Sequence, residues 1–118
     1  MHDGPPSSDR NMITSFAWSA QGMQRMYSVC HLIHADLSEY NMLWHQDKVY
    51  FIDVSQSVEP SHPHGLEFLL RDCRNVSNFF SRSGVVDVMG PHQLFNYVSG
   101  LDIKAESDQE FLVQVSGM

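Results

Sequence analysis

Cysteine is scarce in this 118-residue chain. Cys30 and Cys73 are the only two, far apart and each inside an apolar run. Such a pair does not make a disulfide-stapled scaffold; both are expected to be buried free thiols in a reducing compartment. Lysine is equally scarce, with Lys48 and Lys104 alone, and seven Lys and Arg against 14 Asp and Glu leave a net charge of -7. That balance excludes a general basic surface for holding nucleic acid by its phosphates, so no direct nucleic-acid binding is expected. No apolar run approaches the ~18 residues of a membrane span. The opening MHDGPPSSDR lacks the basic start and apolar stretch of a signal peptide, so a soluble, cytoplasmic chain without a membrane partner is expected. Asn75-Val76-Ser77 matches a glycosylation sequon, but it falls mid-helix and reads as chance.

What is present suits a packed core: 42% of residues are apolar, with two Trp, four Tyr and seven Phe. The length allows one domain at most, or part of a larger one. Residues 1–11, rich in Pro, Ser, Gly and Asp, are expected to be loose. From Met12 to about Tyr27 the residues Ile13, Phe16, Ala17, Ala20, Met23, Met26 and Tyr27 recur at three and four, the mark of an amphipathic helix. Gly22 should weaken it by about 1 kcal/mol. Val29 to Ile33 reads as a short buried strand. Met42-Leu43-Trp44 and Val49 to Ile52 read as a hairpin, with the four residues His45 to Lys48 forming a connection around a type I turn.

Ser61-His62-Pro63 is expected to open the clearest helix, Pro63 in its first turn. Its apolar stripe is Leu66, Leu69, Leu70, Cys73, Val76, Phe79 and Phe80, with Arg82 in the last turn and Gly84 as terminator. Pro91 to Val98 is a shorter helix ended by Gly100. Ser107 and Glu110 form a capping box that opens a last helix through Phe111, Leu112 and Val115. Two turns alone would be marginal.

The hairpin has a chemical consequence. Asn41 stands just before its first strand and Asp53 just after its second, so antiparallel pairing brings them together. Magnesium takes hard oxygen ligands, one or two carboxylates completed by water and substrate phosphates. Asp53 and Asn41 would supply one carboxylate and one carbonyl oxygen. Asp36, five residues before Asn41, could orient an attacking hydroxyl and accept its proton. Asp and Asn also favour turns, so spacing alone leaves a metal–phosphate site and a plain polar turn both open. His31-x-x-His34 and His62-Pro63-His64 lack a companion cysteine pair and do not match a zinc pattern. His34 is expected to orient the loop from the core, and His62 and His64 to start a helix.

His34-Ala35-Asp36 followed by Asn41 resembles the catalytic loop of protein kinases, with Asp53 at the place of the metal-binding Asp of the D-F-G segment. The details resemble one group, the RIO family of atypical kinases, whose hallmark is H-x-D-L-S-E-x-N, a hairpin, then I-D-x-S-Q. Here these read His34-Ala35-Asp36-Leu37-Ser38-Glu39-Tyr40-Asn41 and Ile52-Asp53-Val54-Ser55-Gln56. The stretch SVEPSHPHGLEFLLRDCRNVSNFF continues the likeness, and Tyr40, Trp44 and Pro60 look most like the third subtype. The resemblance runs over about residues 23–113. It implies an α+β fold, a kinase-like C-terminal lobe that is mainly helical, with a short hairpin carrying the catalytic and metal-binding loops. It implies ATP and Mg2+ as cofactors, Asp36 as the catalytic Asp, Asn41 and Asp53 as metal and cofactor ligands, and Asp53 as a possible aspartyl-phosphate acceptor. As partners it implies the pre-40S ribosomal particle, with a role in small-subunit maturation, and innate immune signalling proteins.

The departures carry information. Ala35 replaces the Arg of ordinary kinases, so no guanidinium is present there to clamp a phosphorylated activation loop. Val54-Ser55 replaces Phe-Gly, and no A-P-E segment follows. The glycines are scattered rather than gathered in a phosphate loop, and neither lysine lies in a V-A-I-K-like strand. The expected organisation is therefore a divergent segment 1–22 and a partial C-lobe over 23–118, truncated at its C-terminal end. Two functions follow. One is a RIO-type serine/threonine kinase or ATPase segment that is inactive in isolation for want of an upper lobe. The other is a non-catalytic interaction or competing module. Without an upper lobe, apolar surface around the hairpin, including Trp44 and Phe51, is expected to be exposed.

Overall fold

The computed structural model describes residues 9–46 and 48–118, so most of the stretch expected to be loose lies outside the described residues. The chain order is helix α1 (Asp9–Ser28), strands β1 (Met42–His45) and β2 (Lys48–Phe51), and helices α2 (Gly65–Arg82), α3 (Pro91–Ser99) and α4 (Asp108–Ser116). Single 3₁₀ turns at Glu39–Asn41 and Val54–Gln56 flank the hairpin. Helix α1 starts at Asp9, three residues before the apolar periodicity begins. It buries Met12, Phe16, Ala20 and Met23 along one face.

The segment 29–33 does not form the expected buried strand. The amides of Val29 and Cys30 bond back to the Arg25 carbonyl and that of Leu32 to Met26, which closes α1 instead. His31 takes a left-handed conformation (φ 57) in this turn. Val29 and Cys30 are consequently exposed, which corrects the expectation for the Cys30 thiol. Cys73 is free and buried as expected, and burial, followed by the neighbouring Asp72 charge, raises its thiol well above the ordinary range. Only Ile33 pairs like a strand residue. Its amide and carbonyl exchange bonds of 2.8 and 2.9 Å with Val58 in an isolated antiparallel bridge.

The hairpin forms with Met42 opposite Phe51 and His45 opposite Lys48. Because His45 and Lys48 pair, the connection is shorter than the expected four residues, only Gln46 and Asp47 lying between them. Gln46 has φ 51, the sign that two-residue hairpin turns require to follow strand twist. Trp44 is not an exposed remnant of a lost interface. It is buried, with its ring 5.8 Å from Phe80 and 6.1 Å from Phe79. Phe16 of α1 meets Phe80 edge-on at 5.3 Å, so α1, β1 and α2 converge on that fully buried ring. Phe51 is half-buried against α1, where a Cβ on Gly22 would come within 3.1 Å of its ring. The glycine that weakens the helix is what admits the hairpin.

Helix α2 begins at Gly65 rather than at Pro63, because residues 59–64 fold into turns: His62 bonds to the Glu59 carbonyl and Gly65 to that of His62. A Cβ at Gly65 would lie 2.9 Å from the Pro60 carbonyl oxygen, so that fold-back needs glycine. The stripe reads as expected, with Leu69, Leu70, Cys73, Val76 and Phe80 buried. At its end the Val85 amide reaches the Phe80 carbonyl and the Gly84 amide that of Ser81, with Gly84 at φ 95, a full left-handed termination. Gly100 (φ 77) ends α3 likewise. The Ser107 hydroxyl accepts from the Glu110 amide at 3.1 Å, and the Glu110 carboxylate accepts from the Glu106 amide, one residue earlier than the standard box.

Candidate active site

Two loops carry the candidate residues, and His34 joins them. Its imidazole is buried. Nδ1 accepts from the Asp36 amide at 3.2 Å, so Nε2 carries the proton and donates to the Ile52 carbonyl at 2.7 Å. One ring therefore fixes the residue bearing the first carboxylate and the residue preceding the second. The Ile33–Val58 bridge aligns the same two segments from the other side. The Ile52 amide donates to the Asn41 carbonyl at 2.9 Å, which sets the hairpin base.

Ala35 and Asp53 both have positive φ, 72 and 57. Such conformations cost a non-glycine residue on the order of 1 kcal/mol and persist where surroundings over-determine them. Around Ala35 the surroundings come from α2. The Asp72 carboxylate accepts from the Ala35 amide at 2.8 Å and the Leu37 amide at 3.0 Å. The Arg71 guanidinium donates to the Ala35 carbonyl, and the Asn75 amide to that of Leu37 at 3.1 Å. At the far end Arg82 pairs with Glu39 at 3.2 Å. The use of Asn75 here gives the apparent sequon a structural purpose.

Asp72 is 1% exposed, and burial pushes its carboxyl up to about 6, against the opposing pull of the two amides. Neither Asp72 nor Arg71 is singled out by motif. A charge at 72, spaced three and four from Leu69 and Val76, interrupts the apolar stripe and is the signal that would have found it.

Asp36 and Asp53 open onto one cleft of about 460 Å3, shared with Ser55, Gln56, Phe68 and Arg71. Both carboxylates are exposed. Asn41 does not line that cleft; its Nδ2 donates to the Asp36 main-chain carbonyl at 2.6 Å. A carbonyl can only accept, so the amide orientation is fixed, with Oδ1 as the side chain's acceptor. Asp53 takes a weak bond from the Ser55 hydroxyl on one oxygen, at 3.5 Å. No group of three His, Cys, Asp or Glu is placed to hold a metal among the described residues. A magnesium site asks for less, one or two carboxylates with water and phosphate. Asp53 with the Oδ1 of Asn41 fits that donor chemistry.

A helical lobe whose short hairpin presents one loop carboxylate and a second past its returning strand is the C-terminal lobe of a protein-kinase-like fold. A family model, the RIO domain, matches residues 6–93, and the chain belongs to that family. The match begins ahead of Met23, within the segment where no likeness was expected. The chain is similar to serine/threonine-protein kinase RIO3 of Bos taurus, 62% identical over 96 residues, 81% of this chain and 18% of that protein. To the Mus musculus protein of the same name it is 54% identical over 111 residues, 94% of this chain and 21% of that protein. Serine/threonine-protein kinase RIO1 of Homo sapiens is 53% identical over 92 residues, 78% of this chain and 16% of that protein. The chain thus spans about a fifth of the length of these curated relatives. Among the described residues no helix is long and apolar enough to cross a membrane.

Proposed function

We propose that this chain is the catalytic segment of a RIO-type serine/threonine kinase or ATPase that transfers the terminal phosphoryl group of ATP. The observation that carries the proposal is the shared cleft of Asp36 and Asp53, with His34 bonded to the Asp36 amide and to the carbonyl preceding Asp53. Asp36 is exposed and held by its main chain, which suits a base that orients an acceptor hydroxyl and takes its proton. As the hydroxyl oxygen bonds to phosphorus, the bond from phosphorus to the leaving diphosphate oxygen breaks. A bound Mg2+ would supply charge neutralisation on the phosphates; Asn41 and Asp53 are the residues that would hold it. Where Asp53 itself takes the phosphoryl group as ADP departs, water then attacks that phosphorus, breaks its bond to the carboxylate and releases inorganic phosphate, so the net reaction is ATP hydrolysis. Names of relatives support the kinase class, and the RIO likeness supports extending the proposal to pre-40S maturation in the cytoplasm and to contacts with innate immune signalling proteins.

The test is a calorimetric titration of the purified chain with ATP and Mg2+, beside Asp53→Asn, with phosphoryl transfer assayed for Asp36→Ala. Binding lost in Asp53→Asn at unchanged stability supports the metal site. Turnover that survives Asp36→Ala removes Asp36 from its role. A folded chain that binds no nucleotide would favour the interaction module, in keeping with the lack of a Gly-rich loop and strand lysine in these 118 residues.

A further inference from the structure

Among the described residues lining the cleft, two carboxylates stand with one cation, Arg71, an exposed side chain held by two contacts. The guanidinium carbon lies 5.0 Å from the centroid of the Phe68 ring, which lines the same cleft, and one nitrogen donates to the Ala35 carbonyl. A guanidinium has further N–H groups in a rigid fork. Among the described residues no carboxylate comes within ion-pair distance of the Arg71 guanidinium; its charge acts through space on the buried Asp72 carboxyl, while Asp36 and Asp53 stand on the same cleft. Neutralising acids asks for a salt bridge, and propping the loop uses a single N–H group. A fork held by a ring face and a carbonyl, with donors to spare beside two acids, suits an incoming dianion.

We infer that Arg71 binds the phosphoryl group handled in this cleft, its fork meeting the non-bridging oxygens. The inference rests on the phosphoryl-transfer function proposed above. Phosphoryl transfer is catalysed mainly by positioning and by charge stabilisation. Asp36 and Asp53 repel a phosphate unless cations offset them. Among the described residues lining the cleft, Arg71 carries the positive charge. Phosphate is matched bidentately by arginine, whereas lysine offers only a point charge. The stacked Phe68 limits the rotamer freedom that binding would otherwise have to remove.

The experiment is a titration of the whole chain with inorganic phosphate, followed by NMR at the arginine Nε–H signals. Arg71→Met, which keeps the apolar stem over Phe68, and Arg71→Lys are run in parallel. Phosphate should move the Arg71 signal, and its affinity should fall at least about ten-fold in Arg71→Met and less in Arg71→Lys. Broadening by Mn2+ near Asp53 and Asn41 should be the same in all three proteins. No phosphate response in the wild-type chain, or equal affinity in Arg71→Met, overturns the inference. So does a joint fall of phosphate and Mn2+ binding, which marks a loop prop alone. Failure of Mn2+ to bind while Arg71 still takes phosphate sinks the metal reading and leaves Arg71 standing. A loss for ATP beyond that for ADP assigns the group to the nucleotide; a loss confined to O-phosphoserine assigns it to the acceptor side.

Discussion

His34 Nε2 donates to the Ile52 carbonyl across 2.7 Å, eighteen residues along the chain, while its other nitrogen holds the Asp36 amide. The loop bearing Asp36 and the segment bearing Asp53 are thereby parts of one hydrogen-bonded unit. Replacing His34 by Phe keeps the bulk and removes both bonds, leaving the Asp36 amide and the Ile52 carbonyl without this partner. The expected cost is about 1–3 kcal/mol in urea denaturation. Nucleotide affinity should weaken with it, because the separation of Asp36 and Asp53 is no longer set.

Asp72 makes stability fall with rising pH. Its carboxyl titrates near 6 in the fold against 3.8 ordinarily, so between those values the folded chain holds a proton that the unfolded chain has lost. The stability this gives is fully present below about pH 4 and lost as pH passes 6. The loss is on the order of 3 kcal/mol. Asp72→Asn keeps one acceptor for two amides, which costs about 1–3 kcal/mol at low pH, but it removes the slope. Urea midpoints of both proteins from pH 4 to 7 should show the wild-type advantage shrinking as pH rises. A constant difference would mean that Asp72 ionises alike in both states.

The convergence at Phe80 sets the largest packing effects. Phe80→Ala should cost about 3–5 kcal/mol and Leu69→Ala about 2–5 kcal/mol. Such losses approach the whole stability of a small domain, so the first variant is expected to lose its cooperative thermal transition. Calorimetry reads both.

Gln46→Gly should stabilise. Gln46 holds φ 51 in a two-residue connection, a conformation that glycine adopts without a Cβ penalty. A gain of about 0.5–1 kcal/mol in denaturation midpoint is expected, with nucleotide binding unchanged, because the turn lies at the far end of the hairpin. A loss would show that the glutamine side chain contributes more than its backbone strain costs.

Local chemistry was enough for much of this protein. The apolar stripe of α2, the left-handed stops at Gly84 and Gly100, the Ser107 cap and the pairing that sets Asn41 near Asp53 all depend on neighbours a few residues apart, and such rules act wherever the chain folds. The His-x-Asp…Asn and Ile-Asp-x-Ser-Gln spacings were legible for the same reason. Most of what lay beyond the sequence depends on partners distant along the chain. Asp72 and Arg71 hold Ala35 from more than thirty residues away. The run 29–33 is apolar enough for a strand, yet its amides are taken by the end of α1. Trp44 is covered because α2 brings Phe79 and Phe80 against it, and Gly22 of α1 leaves room for Phe51. For Ala35, Trp44 and Phe51 the deciding contacts are long-range, whereas for 29–33 they reach only four to six residues back into α1. Only the tertiary structure decides which buried amide, carbonyl or ring is within reach.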